Sequence, residues 1–303
     1  MTAQDAAASG GGSRVGSGLA LAAVGAIAFS GKAIIVKLAY RHGVDAVTLI
    51  MYRMLFALPM FVLLAWWAGR GRPALSARDW RVAVVLGFFG YYLASFLDFA
   101  GLQYVSAGLE RLVLYLNPTL VLLLSFVVYR KAVTWRQVVA MAVSYVGIAL
   151  VLGHEMALDQ PGTGWGAVLV LGSAVSYALY LVISSAEVKR IGSLRLTGLA
   201  SSVACVLCIV QFLLLKPLAA AAVAPPVVWL SLLNAVVCTV APIMMVMMAI
   251  ERIGAPLTAQ TGMVGPLSTI SMGVLILGEP FTAWTFVGTA FVLAGIWMLA
   301  RAR

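Results

Sequence analysis

Five ionisable residues, Lys32, Arg53, Asp98, Glu110 and Arg111, fall inside stretches that are otherwise apolar. A charge in such a stretch is costly in lipid unless it faces a bundle interior or water, so each marks a structural ion pair or a path for a solute or proton. At about 1.5 Å per helical residue, Lys32, Arg53 and Asp98 lie roughly 8 to 12 Å from the outer ends of their stretches, and Glu110 and Arg111 are slightly shallower. The matching depths predict that Lys32 or Arg53 neutralises Asp98, with Glu110 and Arg111 as an outer rim. Substrate binding or proton coupling is the alternative role for the same cluster.

Uncharged polar residues recur at helical spacing in the same stretches. Gly87, Tyr91, Ser95 and Asp98 share one helix face, as do Ser173, Tyr177, Tyr180 and Ser184, and as do Gly25, Phe29 and Lys32. One reading makes these faces the lining of a solute path; the other makes the small residues helix-packing contacts and the tyrosines hydrogen-bond partners of a neighbouring helix. Tyr115 and Asn117 precede Pro118, and Gln260 and Thr261 precede Pro266. Each proline removes one backbone N–H and so frees a carbonyl, which either binds solute or is satisfied by a nearby side chain; a simple helix bend is the third possibility. Mixed donors and acceptors with aromatic walls suit an amino acid, whose carboxylate and ammonium share one small headgroup.

Other chemistries find little support. Cys205 and Cys208 have the spacing of a redox or zinc pair but sit in mid-stretch with no second ligand pair, and with Cys238 they read as small buried hydrophobes. His42 and His154 lie in turns, and there is no His-Glu-x-x-His zinc motif, no Gly-x-Ser-x-Gly elbow and no phosphate-cradling Gly-x-x-x-x-Gly-Lys-Ser/Thr loop. We therefore expect no catalytic residue, no metal and no cofactor. Transport, if that is the function, is facilitated or gradient-driven.

The elements that must carry these residues are membrane helices. Of the 303 residues, 63% are hydrophobic and 10% charged, against roughly 25% charged in a soluble domain. Apolar runs of spanning length follow one another almost back to back, at about 16–38, 45–68, 80–103, 107–129, 134–152, 164–186, 195–216, 227–250, 254–277 and 281–300. This predicts an all-α integral membrane protein of ten transmembrane helices, whose first helix is retained because it is too long for a signal peptide. Fourteen Lys and Arg, among them Arg14, Arg72, Arg130, Lys131, Lys189 and Arg303, fall on the side of the termini; Lys37, Arg41 and Lys216 fall opposite. That bias places both termini in the cytoplasm of a cell whose inner (plasma) membrane is the host. The basic residues are scattered singly through turns, which predicts a bilayer and a small-molecule substrate as partners and no nucleic acid.

Displacing the sequence by 148 positions aligns its halves without a gap, pairing Gly18 with Gly166, Pro118 with Pro266, Thr134 with Thr282 and Gly147 with Gly295. Five helices per half is an odd number, so the second copy enters the membrane from the opposite side, an inverted repeat of the kind that binds solute near the midplane between its halves. The expected layout is a disordered cytoplasmic tail over 1–15, a first repeat over 16–152, an extracytoplasmic turn over 153–163 and a second repeat over 164–303. Gly101-Leu-Gln-Tyr-Val-Ser-Ala-Gly108 leading into Tyr115-Leu-Asn-Pro118, its partner Ile250-Glu-Arg-Ile-Gly-Ala255 leading into Gly265-Pro266, and Leu277-Gly-Glu-Pro280 resemble the drug/metabolite transporter superfamily. Within it they are most similar to the EamA-type ten-helix members, which include bacterial amino-acid and metabolite exporters. The resemblance implies two helix layers around a central cavity, the fifth and tenth helices peripheral, and export of amino acids or similar small polar metabolites. Alternatives are a multidrug exporter of lipophilic cations, for which Asp98 and the run Met244-Met245-Val246-Met247-Met248 speak, and an antiporter of phosphorylated or nucleotide sugars, for which Lys32 and Arg53 could hold phosphate. One departure from the pattern is that Gly278-Glu279 is matched in the first half by Arg130-Lys131.

Overall fold

The computed structural model describes residues 3–130, 133–157, 161–262 and 264–301; Lys131 and Arg303, which carry part of the charge bias, and Asp159, in the turn expected over 153–163, lie outside them, as does the side chain of Gln260. The described chain is helical throughout, with no strand. The first half comprises α1 (Ala3–Tyr40), α2 (Ala46–Gly69), α3 (Ala77–Gly87) continued through a π-helical turn at Phe88–Leu93 into α4 (Ala94–Gly101), then α5 (Ala107–Leu114), α6 (Asn117–Tyr129) and α7 (Trp135–Ala157). The second half comprises α8 (Thr163–Ile191), α9 (Ser193–Leu215), α10 (Pro225–Ala235) continued through a π-helical turn at Val236–Val240 into α11 (Ala241–Thr261), then α12 (Val264–Met272) and α13 (Ala283–Arg301). Among the described residues nine helices are long and apolar enough to cross a bilayer, and Val264–Leu277 is a shorter apolar helix.

Two boundaries differ from those read in the sequence. Helix α1 begins at Ala3, where a disordered tail was expected; its apolar portion, Val15–Tyr40, starts where the first span was placed, and adding turns to a helix already nucleated costs far less than starting one. The turn expected at 251–253 lies inside α11, and the break falls at Gly262, with helix resuming at Val264. Gly254-Ala255-Pro256 reads as a turn in isolation, yet a flanking helix can carry such a sequence when tertiary packing supports it.

Polar caps start the helices where the apolar runs begin. Asp45 accepts from the backbone of Val47 (3.0 Å) and Thr48 (3.3 Å) at the head of α2 and pairs with Lys216 at 3.3 Å. Partial burial raises its carboxyl pKa, but the hydrogen bonds from Thr48 and the Lys216 charge outweigh that and hold it below the ordinary value. Ser76 and Asp79 form a reciprocal capping box at α3. The outward faces remain apolar: Leu63, Leu214, Leu275 and Val127 are exposed, as are Trp66, Trp80, Trp165, Trp229 and Trp297 near helix ends. Lipid is the solvent that such a surface suits.

The two halves interlock by contacts that repeat at the offset of 148. A side chain at Gly18 would meet Arg252 and Ile253, and one at Gly166 would meet Tyr104 and Val105, the positions 148 earlier. Thus α1 packs on α11 as α8 packs on α4. Helices α7 and α13 pack chiefly on each other: Gly147 faces Gly288, and Gly295 faces Ala140, the same contact with the halves exchanged. The π-helical turns at Phe88–Leu93 and Val236–Val240 stand at the same offset.

Candidate functional site

The π-helical turns shape a pocket of about 280 Å³ between α1, α2, α3–α4, α5–α6, α8 and α10–α11. A π turn leaves backbone carbonyls without their usual helical partner, and turns of this kind recur at functional sites. Both are satisfied from the side: Ser176 Oγ donates to the Phe89 carbonyl at 2.7 Å, and Thr239 Oγ1 donates to the Asn234 carbonyl at 2.9 Å. Tyr91 and Thr239, which line the pocket, are repeat partners, as are Phe29 and Tyr177, and Ser95 and Ile243. The pocket therefore lies where matching faces of the two halves meet.

Its charged wall comes from the first half. Lys32 Nζ lies 2.5 Å from Asp98 Oδ2 and 3.0 Å from Glu110 Oε1. Glu110 is fully buried behind the lysine and does not line the pocket, whereas Asp98 does. Arg53 also lines it but makes no ion pair among the described residues; its Nε donates to Thr239 Oγ1 at 3.1 Å, and its guanidinium sits 5.1 Å from the centroid of the Phe99 ring. Arg111 turns into the pocket, donating from Nη2 to Ser30 Oγ at 3.1 Å, with the rings of Phe29 and Tyr115 at 5.4 and 5.3 Å.

The cluster expected from the sequence is present, with the Lys32–Asp98 pair among the pairings expected, and it departs from the expectation at Glu110 and Arg111. Of the two cations expected to meet Asp98, Lys32 does so, and its three donors let it serve Glu110 as well. Glu110 and Arg111 form no rim pair: neighbours in a helix project about 100° apart, so one points behind Lys32 and the other at the pocket.

The freed proline carbonyls are already occupied. Pro118 leaves the carbonyl of Leu114 without a helical donor, and Asn117 Nδ2 donates to it at 2.7 Å. Pro266 cannot donate to the carbonyl of Gly262, which accepts instead from Gly265 N at 2.9 Å and from Tyr115 Oη at 2.7 Å across 147 positions of sequence. Asn117 and Tyr115 nonetheless line the pocket, and Asn117 Oδ1 is left buried without a donor. Tyr180 does not reach the lumen. It stacks on Tyr177 at 5.4 Å, and its hydroxyl lies 3.3 Å from that of Tyr91, so it backs the two rings that do line the space. Thr261 spends its hydroxyl on the Leu257 carbonyl and lies away from the pocket. Met244 packs into the hydrophobic core and Met245 against Gly25, and neither lines the pocket.

Lining residues that sequence reading missed are Gly90, Ala94, Leu114, Thr239 and Ile243. Carrying Tyr91 and Ser95 forward by 148 positions leads to Thr239 and Ile243, so the repeat itself held the signal for these two; Ala94, Gly90 and Leu114 carry no polarity to betray them.

Helices of spanning length with lipid-suited outer faces, arranged in two matching halves about a polar pocket, define a multi-pass membrane protein of transporter type. The EamA-like transporter family matches the chain twice, over residues 16–153 and 164–301, and the chain belongs to that family. The uncharacterized transporter YcbK of Bacillus subtilis is 32% identical over 282 residues, covering 90% of each chain. The uncharacterized transporter YetK of the same organism is 24% identical over 250 residues, covering 81% of this chain and 76% of its own. A protein of known crystal structure, 16% identical, superposes with a TM-score of 0.63 over 95% of this chain and 98% of that one, a likeness of fold.

Proposed function

We propose that this transporter is a carrier for amino acids or similar small polar metabolites, exporting them or letting them equilibrate by alternating access across the plasma membrane, with both termini cytoplasmic. The observation that carries the reading is the composition of the pocket: basic groups at Arg53 and Arg111, free acceptors at Asp98 Oδ1 and Asn117 Oδ1, and rings from Phe29, Tyr91, Tyr115 and Tyr177. A carboxylate suits the first set, an ammonium or hydroxyl the second, and the rings cover the remainder of a small solute. Contacts that recur when the halves are exchanged support an inverted repeat, in which rocking of one half against the other exposes the pocket to each side in turn.

A lipophilic cation suits this pocket poorly, since Asp98 is already engaged by Lys32 and two further cations face the lumen. A sugar phosphate is the stronger second reading, favoured by the same two guanidinium groups. Uptake of labelled threonine, a labelled quaternary cation and a labelled sugar phosphate into proteoliposomes separates the three. Saturable threonine uptake with counterflow is the expected result, and uptake of the quaternary cation alone would sink the proposal.

A further inference from the structure

We infer that the pocket selects small organic carboxylates of net negative charge, including acidic amino acids, over zwitterions. This rests on the carrier reading above and narrows its substrate class.

Lys32, Arg53 and Arg111 are opposed by Asp98 and Glu110, a formal excess of one positive charge, and the lining from the second half is uncharged. Protonating either carboxylate only enlarges the excess, and a guanidinium does not lose its proton in a protein. The excess is also localised. Lys32 is held by both carboxylates, whereas Arg53 and Arg111 have no carboxylate within ion-pair distance among the described residues. Both arginines are more than nine-tenths buried, at 5% and 6% exposure.

Each arginine also keeps a buried N–H group with no acceptor, at Nη1 of Arg53 and Nε of Arg111. A buried, incompletely paired cation is expensive to maintain, and the nearby rings recover only part of that cost. An incoming carboxylate supplies what is missing, a planar acceptor with two oxygens matched to the guanidinium fork and one negative charge. A zwitterion brings the same carboxylate but adds an ammonium, leaving the excess where it was. The volume of about 280 Å³ lies just below the usual range of ligand pockets, roughly 300–1,000 Å³, which suits a short metabolite better than a nucleotide sugar.

The test is uptake into proteoliposomes at neutral pH of labelled glutamate, a labelled 2-hydroxy carboxylate, labelled threonine and a labelled sugar phosphate. The two anionic carboxylates are expected to exceed threonine by about tenfold, the equivalent of about 1.4 kcal/mol. Arg53→Gln should lower carboxylate uptake by a similar factor and narrow its margin over threonine. Arg111→Lys keeps the charge and loses the fork, so it should reduce uptake while preserving the preference for anions. The wild-type ratios stand as a test even where a variant folds poorly. Threonine carried as well as or better than the carboxylates would overturn this inference and leave the carrier reading intact, and a preference for the sugar phosphate would overturn the carboxylate assignment. Transport of none of these solutes would bring down both.

Discussion

Lys32 holds the chemistry of the charged wall together, because one ammonium stands between Asp98 at 2.5 Å and Glu110 at 3.0 Å with all three side chains buried. Removing the cation from such a group strands two adjacent carboxylates, and breaking a buried pair costs on the order of 3–5 kcal/mol. Lys32→Met should therefore lower thermal stability in detergent by about that amount. Asp98→Asn should cost less, because Lys32 keeps Glu110. The triple variant Lys32→Met, Asp98→Asn, Glu110→Gln should recover much of the loss, since it leaves no unpaired carboxylate in this group. Equal damage from Lys32→Met and Asp98→Asn would show that Glu110 does not share the lysine.

Among the elements, α7 and α13 depend most plainly on the absence of side chains. A methyl group at Gly288 would overlap Val151 and come within 2.6 Å of the Gly147 carbonyl oxygen, and one at Gly295 would come within 2.6 Å of the Ala140 carbonyl. Such contacts draw two helices close in a solvent that gives apolar faces little reason to associate. Gly288→Leu should push the pair apart and cost about 1–3 kcal/mol, the range for an overfilled interface, read as a lower unfolding temperature. An unchanged unfolding temperature would mean that the two helices do not meet there. Because neither helix lines the pocket, the substrate selectivity of whatever protein remains folded should be unaltered.

At the scale of the molecule, the proposed orientation rests on the charge bias and on the five spans per half expected from the sequence. Single cysteines at Arg72, Arg130 and Lys189 should be labelled by an impermeant reagent only from the cytoplasm, and those at Asp159 and Lys216 only from outside. The background for this mapping replaces Cys205, Cys208 and Cys238, all free and buried. Cytoplasmic labelling at Asp159 would require a different parity of spans and would remove the inverted repeat.

By itself the sequence determined the solvent, the elements and the repeat, because long apolar runs have no stable alternative to spanning helices and an offset of 148 is visible in residue identities alone. It also located most of the pocket, since polarity in lipid is informative wherever it occurs: Phe29, Lys32, Tyr91, Ser95, Tyr115, Asn117 and Tyr177 all line it. Pairing was decided only in three dimensions. Depth along a helix says which charges can meet, but rotation about the helix axis says which do, and that rotation placed Glu110 behind Lys32 and Arg111 in the lumen. The same holds for Tyr115, whose hydroxyl joins Gly265 N on the Gly262 carbonyl in the far half of the chain, and for Ile243 and Gly90, which enter the lining because of where their helices pass and through no polarity of their own.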